Sequence, residues 1–253
     1  MTSPFHTVAI IPARYRSERL PAKPLADIAG KPMIQHVYER TAQASLVAEV
    51  IVATDDERVA SAVRAFHGHV VLTPASLASG TDRVAFAAES LHRADIVVNV
   101  QGDEPLIEPA MIDEAISPLI KQNDIVAATL VRRIDEETEL RNPSIVKVVL
   151  DSEGYCMYFS RSMIPFLRDR GVTEWLKHHV YYKHIGLYVF RREFLLRYTR
   201  LPQTPLELAE KLEQLRILEH GYRIKGTVTR YDTVPVDTQQ DLENVRLILQ
   251  AHQ

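Results

Sequence analysis

Strand and helix alternate at short intervals over the first hundred residues, and this pattern restricts the fold more than any other feature. Short apolar runs rich in β-branched residues recur at TVAIIP (7–12), EVIVATD (49–55), HVVLTP (69–74) and DIVVNVQGDEP (95–105). Between them lie KPMIQHVYERTAQAS (31–45), DERVASAVRAF (56–66) and SGTDRVAFAAESL (79–91). The first has Met33, Ile34, Val37 and Tyr38 at helical spacing behind a first-turn Pro32, and the second has acids in its first turn. Such alternation predicts βαβ units: an α/β fold with a mostly parallel sheet and helices on both faces.

From about residue 124 the rhythm changes. DIVAATLVRRI and SIVKVVLDSEGYCMYFS read as long strands, the second folding back at DSEG, and KHIGLYVFRREFLLRY as a strand running into a helix. PLELAEKLEQLRILEHG (205–221) predicts one amphipathic helix, with Leu206, Leu208, Leu212, Leu215, Ile217 and Leu218 on its apolar side and Gly221 as its C-cap. DTQQDLENVRLILQ predicts a closing helix. The expectation is a single α/β domain over 1–253 with a smaller antiparallel lobe inserted at about 150–200.

Charge and cysteine usage narrow the function. A net charge of −3 argues against a general nucleic-acid surface. The single cysteine, Cys156, permits neither an internal disulfide nor a cysteine zinc site, which suits a reducing compartment. No run approaches the roughly 18–20 apolar residues of a membrane span, and VAII stops at Pro12 and Arg14 where a signal peptide would continue. These features predict a cytoplasmic protein that neither inserts into membranes nor binds nucleic acid.

The cations therefore have local work. IIPARYRSERLPAKPL (10–25) places Arg14, Arg16, Arg19 and Lys23 just after the first strand, with Glu18 the only acid. Open parallel sheets bind ligands beyond the carboxyl ends of their strands. A loop there with backbone N–H groups, Arg14, Arg19 and Lys23 forms an anion site suited to a triphosphate; a solvated basic loop would use the same residues. Neither G-x-x-x-x-G-K-[ST] nor G-x-G-x-x-G occurs, which counts against a P-loop or a dinucleotide-dependent oxidoreductase. In NVQGDEP (99–105), Asp103 follows an apolar strand and a glycine. It reads as a turn residue or, facing a polyphosphate, as a Mg²⁺ ligand. In PVDTQQDL (235–242), Asp237 reads as a helix cap or as a second metal ligand, with Asp241 as first-turn helix chemistry.

Taken together, IIPARYRSERLPAKPL, GKPMIQHV, VATDDERVA, SGTDR, VNVQGDEP, NPSIVKVVLDSEGYCMYFSRSMIP, HIGLYVFRREFL, PLELAEKLEQLRILEHG and VDTQQDLENVR resemble the 3-deoxy-manno-octulosonate (Kdo) cytidylyltransferases. The likeness runs in order from about residue 8 to 247. CMP-sialic acid synthetases share the opening motif, whereas YFSR..IP and PLE..E.LEQLR point to the Kdo enzymes.

The resemblance implies a nucleotide-diphospho-sugar transferase-like fold, CTP and Kdo as substrates, Mg²⁺ as cofactor, a homodimer and a place in lipopolysaccharide synthesis. Arg14, Arg19 and Lys23 would hold CTP phosphates, and Asp103 and Asp237 the Mg²⁺. Arg19, Lys23, Asp103 and Asp237 would form the catalytic set. The Ala13 backbone, Ser79, Gly80, Thr81 and Arg83 would lie near the base and ribose, and Gln101, Arg161, His184, Tyr188, Glu213 and Gln214 around Kdo. The aromatic residues of 155–200 (Tyr155, Tyr158, Phe159, Phe166, Trp175, Tyr181, Tyr182, Tyr188, Phe190, Phe194) are more than a small lobe is expected to bury, which also favours a dimer. The rivals are a CMP-sialic acid synthetase-like enzyme, separated by its acid pocket, and a non-catalytic nucleotide-binding regulatory module, which would not need two metal carboxylates.

Overall fold

The strand β1 (Thr7–Ala13) is the centre of the fold, because its side chains feed two cores at once. Val8 and Ile10 pack on one face of the sheet and Ala9, Ile11 and Ala13 on the other, all but excluded from solvent. A strand buried on both faces reads as a continuous apolar run, as TVAIIP does. The computed structural model describes residues 5–16 and 19–250; Ser17 and Glu18 of the basic loop lie outside the described residues.

After β1, a short 3₁₀ turn at Lys23–Leu25 leads to the two-residue ribbon of β2 (Asp27–Ile28) and β3 (Lys31–Pro32). Then follow α1 (Met33–Ala42), β4 (Glu49–Thr54), α2 (Glu57–Ala65), β5 (His69–Leu72), α3 (Gly80–Glu89), β6 (Ile96–Asn99) and α4 (Pro109–Lys121). The second half adds β7 (Ala127–Arg133), α5 (Glu137–Arg141), β8 (Lys147–Leu150), β9 (Cys156–Ser160), α6 (Trp175–His178) and β10 (Tyr182–Arg191). The chain ends with α7 (Arg192–Tyr198), α8 (Pro205–Glu210), α9 (Leu215–Glu219), β11 (Lys225–Thr229) and α10 (Gln239–Gln250). Among the described residues no helix is long and apolar enough to cross a membrane.

The main sheet has the order β11-β7-β10-β6-β1-β4-β5. The pairs of β1 with β4 and β6, of β4 with β5, and of β7 with β11 are parallel. β10 runs against both β6 and β7. The segment 150–200 therefore does not form a separate sheet. β10 is threaded between two strands of the main sheet, and β8 and β9 extend from it as an antiparallel hairpin turning at Asp151–Gly154.

The aromatic residues are accommodated by this arrangement. Phe159, Trp175, Tyr181, Tyr188, Phe190 and Phe194 are buried within one protomer, and Tyr198 stacks on both Phe190 and Phe194. Of the aromatics counted toward a dimer, Phe166 alone is strongly exposed, at 77%. The argument that a single chain could not bury them fails, because β10 lies in the main sheet rather than in a small lobe.

Residues 205–221 do not form one helix either. Lys211 is left-handed at φ 56° and breaks the segment into α8 and α9. The break lets the Arg216 guanidinium grip both carboxylate oxygens of the buried Glu207 and lets Tyr198 Oη donate to Glu213 O at 2.8 Å. Leu212, Leu215 and Ile217 are buried, whereas Leu206 and Leu208 face solvent. Tertiary pairing has overridden a strong local helical pattern. Gly221 does follow α9 at φ +79°, as a C-terminal glycine should.

Candidate active site

β1, β4 and β6 run parallel and end at one edge of the sheet, and the site is built on that edge. A cleft of about 320 Å³ is lined by Ala13, Arg14, Arg16, Lys23, Gly80, Gln101 and Asp103, with Pro12, Pro24 and Gly102. Gly102 is obligatory for a steric reason: a Cβ there would stand 2.7 Å from Pro12 O. The turn after β6 is thereby pressed against the end of β1, which brings Asp103 to the basic loop.

Asp237 arrives from the far end of the chain. Val236 N donates to Asp103 O at 2.9 Å and ties the 230–238 loop to the turn after β6. Asp237 is not the cap of α10. Thr238 and Asp241 take that role: Thr238 Oγ1 accepts from Asp241 N, and Asp241 Oδ2 accepts from Asp237 N and from Thr238 N and Oγ1. The Asp237 carboxylate is left free for side-chain partners.

Those partners are cations. Lys23 Nζ donates to Asp103 Oδ2 at 2.7 Å and to Asp237 Oδ1 at 3.0 Å, and Arg19 reaches the same Asp237 oxygen at 3.0 Å. Burial opposes the charged form of Lys23, but the two carboxylates outweigh it and hold its pKa above the usual lysine value. The ammonium thus marks a cation position between two hard oxygen donors. That donor set fits Mg²⁺, which is commonly held by one or two carboxylates with waters and substrate phosphates. Among the described residues no group of three or more metal-ligating side chains forms a closed cage. Beside Asp103, Glu104 is buried with Oε2 unpaired. Desolvation, with Asp103 adding to it, pushes its carboxyl up to about 8.

The nucleotide-side candidates divide. Ser79 and Asp82 cap α3 reciprocally, each side chain accepting from the other's backbone N–H at 3.0 Å, which fixes Gly80 at the cleft wall. Arg14 donates to Leu77 O at 2.7 Å. Arg83 is not placed to touch a base: it is fully buried and its guanidinium donates to Thr73 Oγ1 and Asp55 Oδ2. A cation on the inner face of α3 braces the floor beneath the loop.

Two sugar-side candidates, Gln101 and Glu213, are joined through Asn99 and through Thr81, which was expected on the nucleotide side. Gln101 Nε2 donates to Gly186 O at 3.1 Å and lies 3.4 Å from Asn99 Oδ1; Asn99 Nδ2 donates to Thr81 Oγ1 at 3.2 Å, and Thr81 Oγ1 donates to Glu213 Oε1 at 2.6 Å. Glu213 sits in the break between α8 and α9 rather than on a solvated helical face, and burial raises its pKa. Gln214, the N-cap of α9, is buried. Burial, with the Glu213 charge adding to it, lifts the Tyr188 phenol well above its usual value. Burial drives His184 down to about 3, so its ring is neutral at physiological pH.

Of the sugar-side candidates only Gln101 lines the cleft itself, and Arg161 lines a separate depression with Pro143, Phe166 and Trp175. Its guanidinium donates to Glu210 O at 2.8 Å and Pro143 O at 3.1 Å, and its backbone N–H to Glu210 Oε2 at 3.0 Å. It fixes the end of α8, just before the turn that carries Glu213. Sequence reasoning missed Asn99, Glu104 and Arg161's grip on α8, and it named Arg16 in the basic loop without giving it a phosphate role. A polar residue inside an apolar strand, such as the Asn in VVNVQ, was the available signal for the first.

Basic loop, paired carboxylates and the carboxyl edge of a parallel sheet together define a nucleotidyl-transfer site on an α/β scaffold. The chain belongs to the cytidylyltransferase family, which it matches over residues 8–224. It is 58% identical to the 3-deoxy-manno-octulosonate cytidylyltransferase of Geobacter metallireducens, over 94% of this chain and 95% of that protein. Identity to the enzyme of the same name from Geotalea uraniireducens is 57%, over 94% and 96%. A solved structure of CMP:2-keto-3-deoxy-manno-octonic acid synthetase complexed with CTP superposes with a TM-score of 0.92 at 44% identity, covering 98% of this chain and all of that one.

Proposed function

We propose that the protein transfers a cytidylyl group from CTP to Kdo, giving CMP-Kdo and pyrophosphate for lipopolysaccharide synthesis. The observation that carries this reading is the meeting of Lys23 with Asp103 and Asp237 at the rim of the cleft, in a chain so similar to the named relatives. The anomeric hydroxyl oxygen of Kdo forms a bond to the α-phosphorus of CTP. The bond from that phosphorus to the bridging oxygen breaks, pyrophosphate leaves with the electron pair, and the hydroxyl proton passes to solvent. Such a reaction asks for alignment and charge compensation rather than covalent chemistry from the protein.

Arg14, Arg19 and Lys23 bind the phosphates and offset charge on the departing pyrophosphate. Asp103 and Asp237 would hold Mg²⁺, which would supply further neutralisation of the phosphate oxygens. The chain of Gln101, Asn99, Thr81 and Glu213, with His184 and Tyr188, offers hydroxyl-binding groups to the sugar acid. The buried state of His184 suits hydrogen bonding rather than proton transfer. The reaction belongs in the cytoplasm, where CTP is made. A homodimer is part of the same reading, supported by the exposed apolar side chains Met157, Phe166 and Val180. A dimer mass by light scattering is expected.

The decisive experiment is pyrophosphate release over a panel of nucleotides and sugar acids. Turnover is expected with CTP and Kdo. Preference for N-acetylneuraminate over Kdo, or no pyrophosphate with any sugar acid, would overturn the reading.

A further inference from the structure

A hydroxyl on the neighbouring strand has no part in the site described so far. Thr129 lies on β7, opposite Tyr188 of β10, where the register of the two strands slips between Ile185 and Tyr188. Its Oγ1 stands 2.8 Å from Leu187 O, 3.1 Å from Ile185 O and 2.9 Å from His184 Nε2. One hydroxyl therefore contacts two carbonyls of the slipped segment and the ring of a candidate sugar ligand.

A threonine hydroxyl has one proton to give and lone pairs to receive with. Two carbonyl oxygens can only accept. If the proton pointed to His184, the hydroxyl oxygen would face two carbonyl oxygens at hydrogen-bond distance with no proton between them. The proton must therefore lie on the carbonyl side, so the oxygen accepts from His184 Nε2–H. Because the ring is neutral, Nδ1 then carries a lone pair that can accept a hydrogen bond. Phe159 and Tyr188 flank the ring, with centroids 5.1 and 5.2 Å away, and limit its rotation. The same slipped segment supplies Gly186 O, the acceptor for Gln101.

We infer that Thr129 is a positioning residue of the sugar site: its hydroxyl pins the irregularity in β10 and locks His184 as the Nε2–H tautomer, so that Nδ1 accepts a hydrogen bond from a hydroxyl of the sugar acid. This rests on reading the cleft as a CTP–Kdo site. It goes further by assigning the direction of the His184 hydrogen bond and naming the residue that sets it.

The test has two arms. In long-range ¹H–¹⁵N spectra of the full-length, histidine-labelled protein without substrate, His184, assigned by its loss in His184→Asn, should show one neutral Nε2–H tautomer. Thr129→Val removes the hydroxyl at nearly constant volume and should mix the tautomers. It should raise the Michaelis constant for Kdo about tenfold while that for CTP stays within about twofold, the effect of losing one hydrogen bond on one substrate. Thr129→Ser should restore both the tautomer and the Kdo constant. An Nδ1–H tautomer in the wild type, an unchanged tautomer in Thr129→Val, or equal loss for both substrates would overturn the inference. If Thr129→Val does not fold, the wild-type spectrum and the Thr129→Ser kinetics decide. If the wild type does not turn over Kdo, the functional reading fails while the spectrum still decides the tautomer.

Discussion

Gly102→Ala places one methyl group where the turn after β6 meets the end of β1. The new Cβ would lie 2.7 Å from Pro12 O and 3.5 Å from Ile11 Cγ2. The first contact is with backbone in the central strand, paired there with β4, so no side chain can swing aside to relieve it. Relief requires the turn to back away by roughly 0.5 Å or more, at an overpacking cost of about 1–3 kcal/mol. For a chain of this size that lowers Tm by roughly 3–10 °C. Asp103 is the next residue and moves with the turn, carrying the Lys23 contact and the Val236 tether. Displacement by 1 Å in a catalytic constellation costs about a hundredfold, so kcat should fall roughly ten- to a hundredfold. Pyrophosphate release and a thermal melt read the two effects. Gly171→Ala is the control, since its Cβ would meet nothing closer than Thr173 Oγ1 at 3.9 Å; both readouts should stay at wild-type values. Full kcat and unchanged Tm in Gly102→Ala would refute the claim that close packing on Pro12 fixes Asp103.

Asp103→Asn and Asp237→Asn should each lower the single-turnover rate about a hundredfold, roughly 3 kcal/mol of transition-state stabilisation, and the double variant should be little worse than either single one. Because Thr238 and Asp241 cap α10, Asp237→Asn should leave the thermal melt unchanged; a large loss of Tm with normal turnover would return Asp237 to a structural role. Arg161→Ala should raise the Michaelis constant for Kdo far more than that for CTP, by loosening the turn that carries Glu213. Arg161→Lys should not rescue it, because an ammonium cannot span the Glu210 and Pro143 carbonyls as a guanidinium does; equal effects on both substrates would refute this. His184 has its folded pKa depressed from 6.5 to about 3, so the folded state binds fewer protons than the unfolded state between those values. The resulting stability is fully present above pH 6.5 and is lost as pH falls toward 3, about 2 kcal/mol by pH 5. Urea midpoints at pH 7 and 5 should converge for wild type and His184→Asn as the pH falls.

The βαβ half of the molecule was legible in the sequence because each of its strands is a short β-branched run closed by proline or a polar turn. The acids expected in the first turn of 56–66 include Asp56, which is the N-cap of α2, and Ser79, expected near the base, is the N-cap of α3. The second half was harder to read because its decisive contacts are non-local. Nothing within 205–221 announces that Arg216 will pair with Glu207 and break the helix between them. Nothing in KHIGLYVF says that this strand enters the main sheet antiparallel, and that one fact decides how the aromatic residues are buried. The site was legible where a residue stands against its surroundings, as Arg19, Lys23 and Asp103 do in their loops. It was illegible where a polar group passes for strand composition, as Thr129 does in AATLV. Arg83, read as a base contact from its place after SGTD, turns inward because its helical position faces β4 rather than the cleft.

The reversed strand β10 has a consequence for how such a protein changes over time. The cations of the phosphate side, Arg14, Arg16 and Arg19, are only partly buried or exposed, so exchanging one of them leaves the interior packing in place. His184 and Tyr188 instead stand on a strand locked between two others, in ring contact with Phe159 and Phe190. A substitution that reshapes the acceptor pocket is also a substitution in the folding core. New acceptor preferences must therefore be reached through compensated sets of changes, whereas tuning of the triphosphate end can proceed one residue at a time.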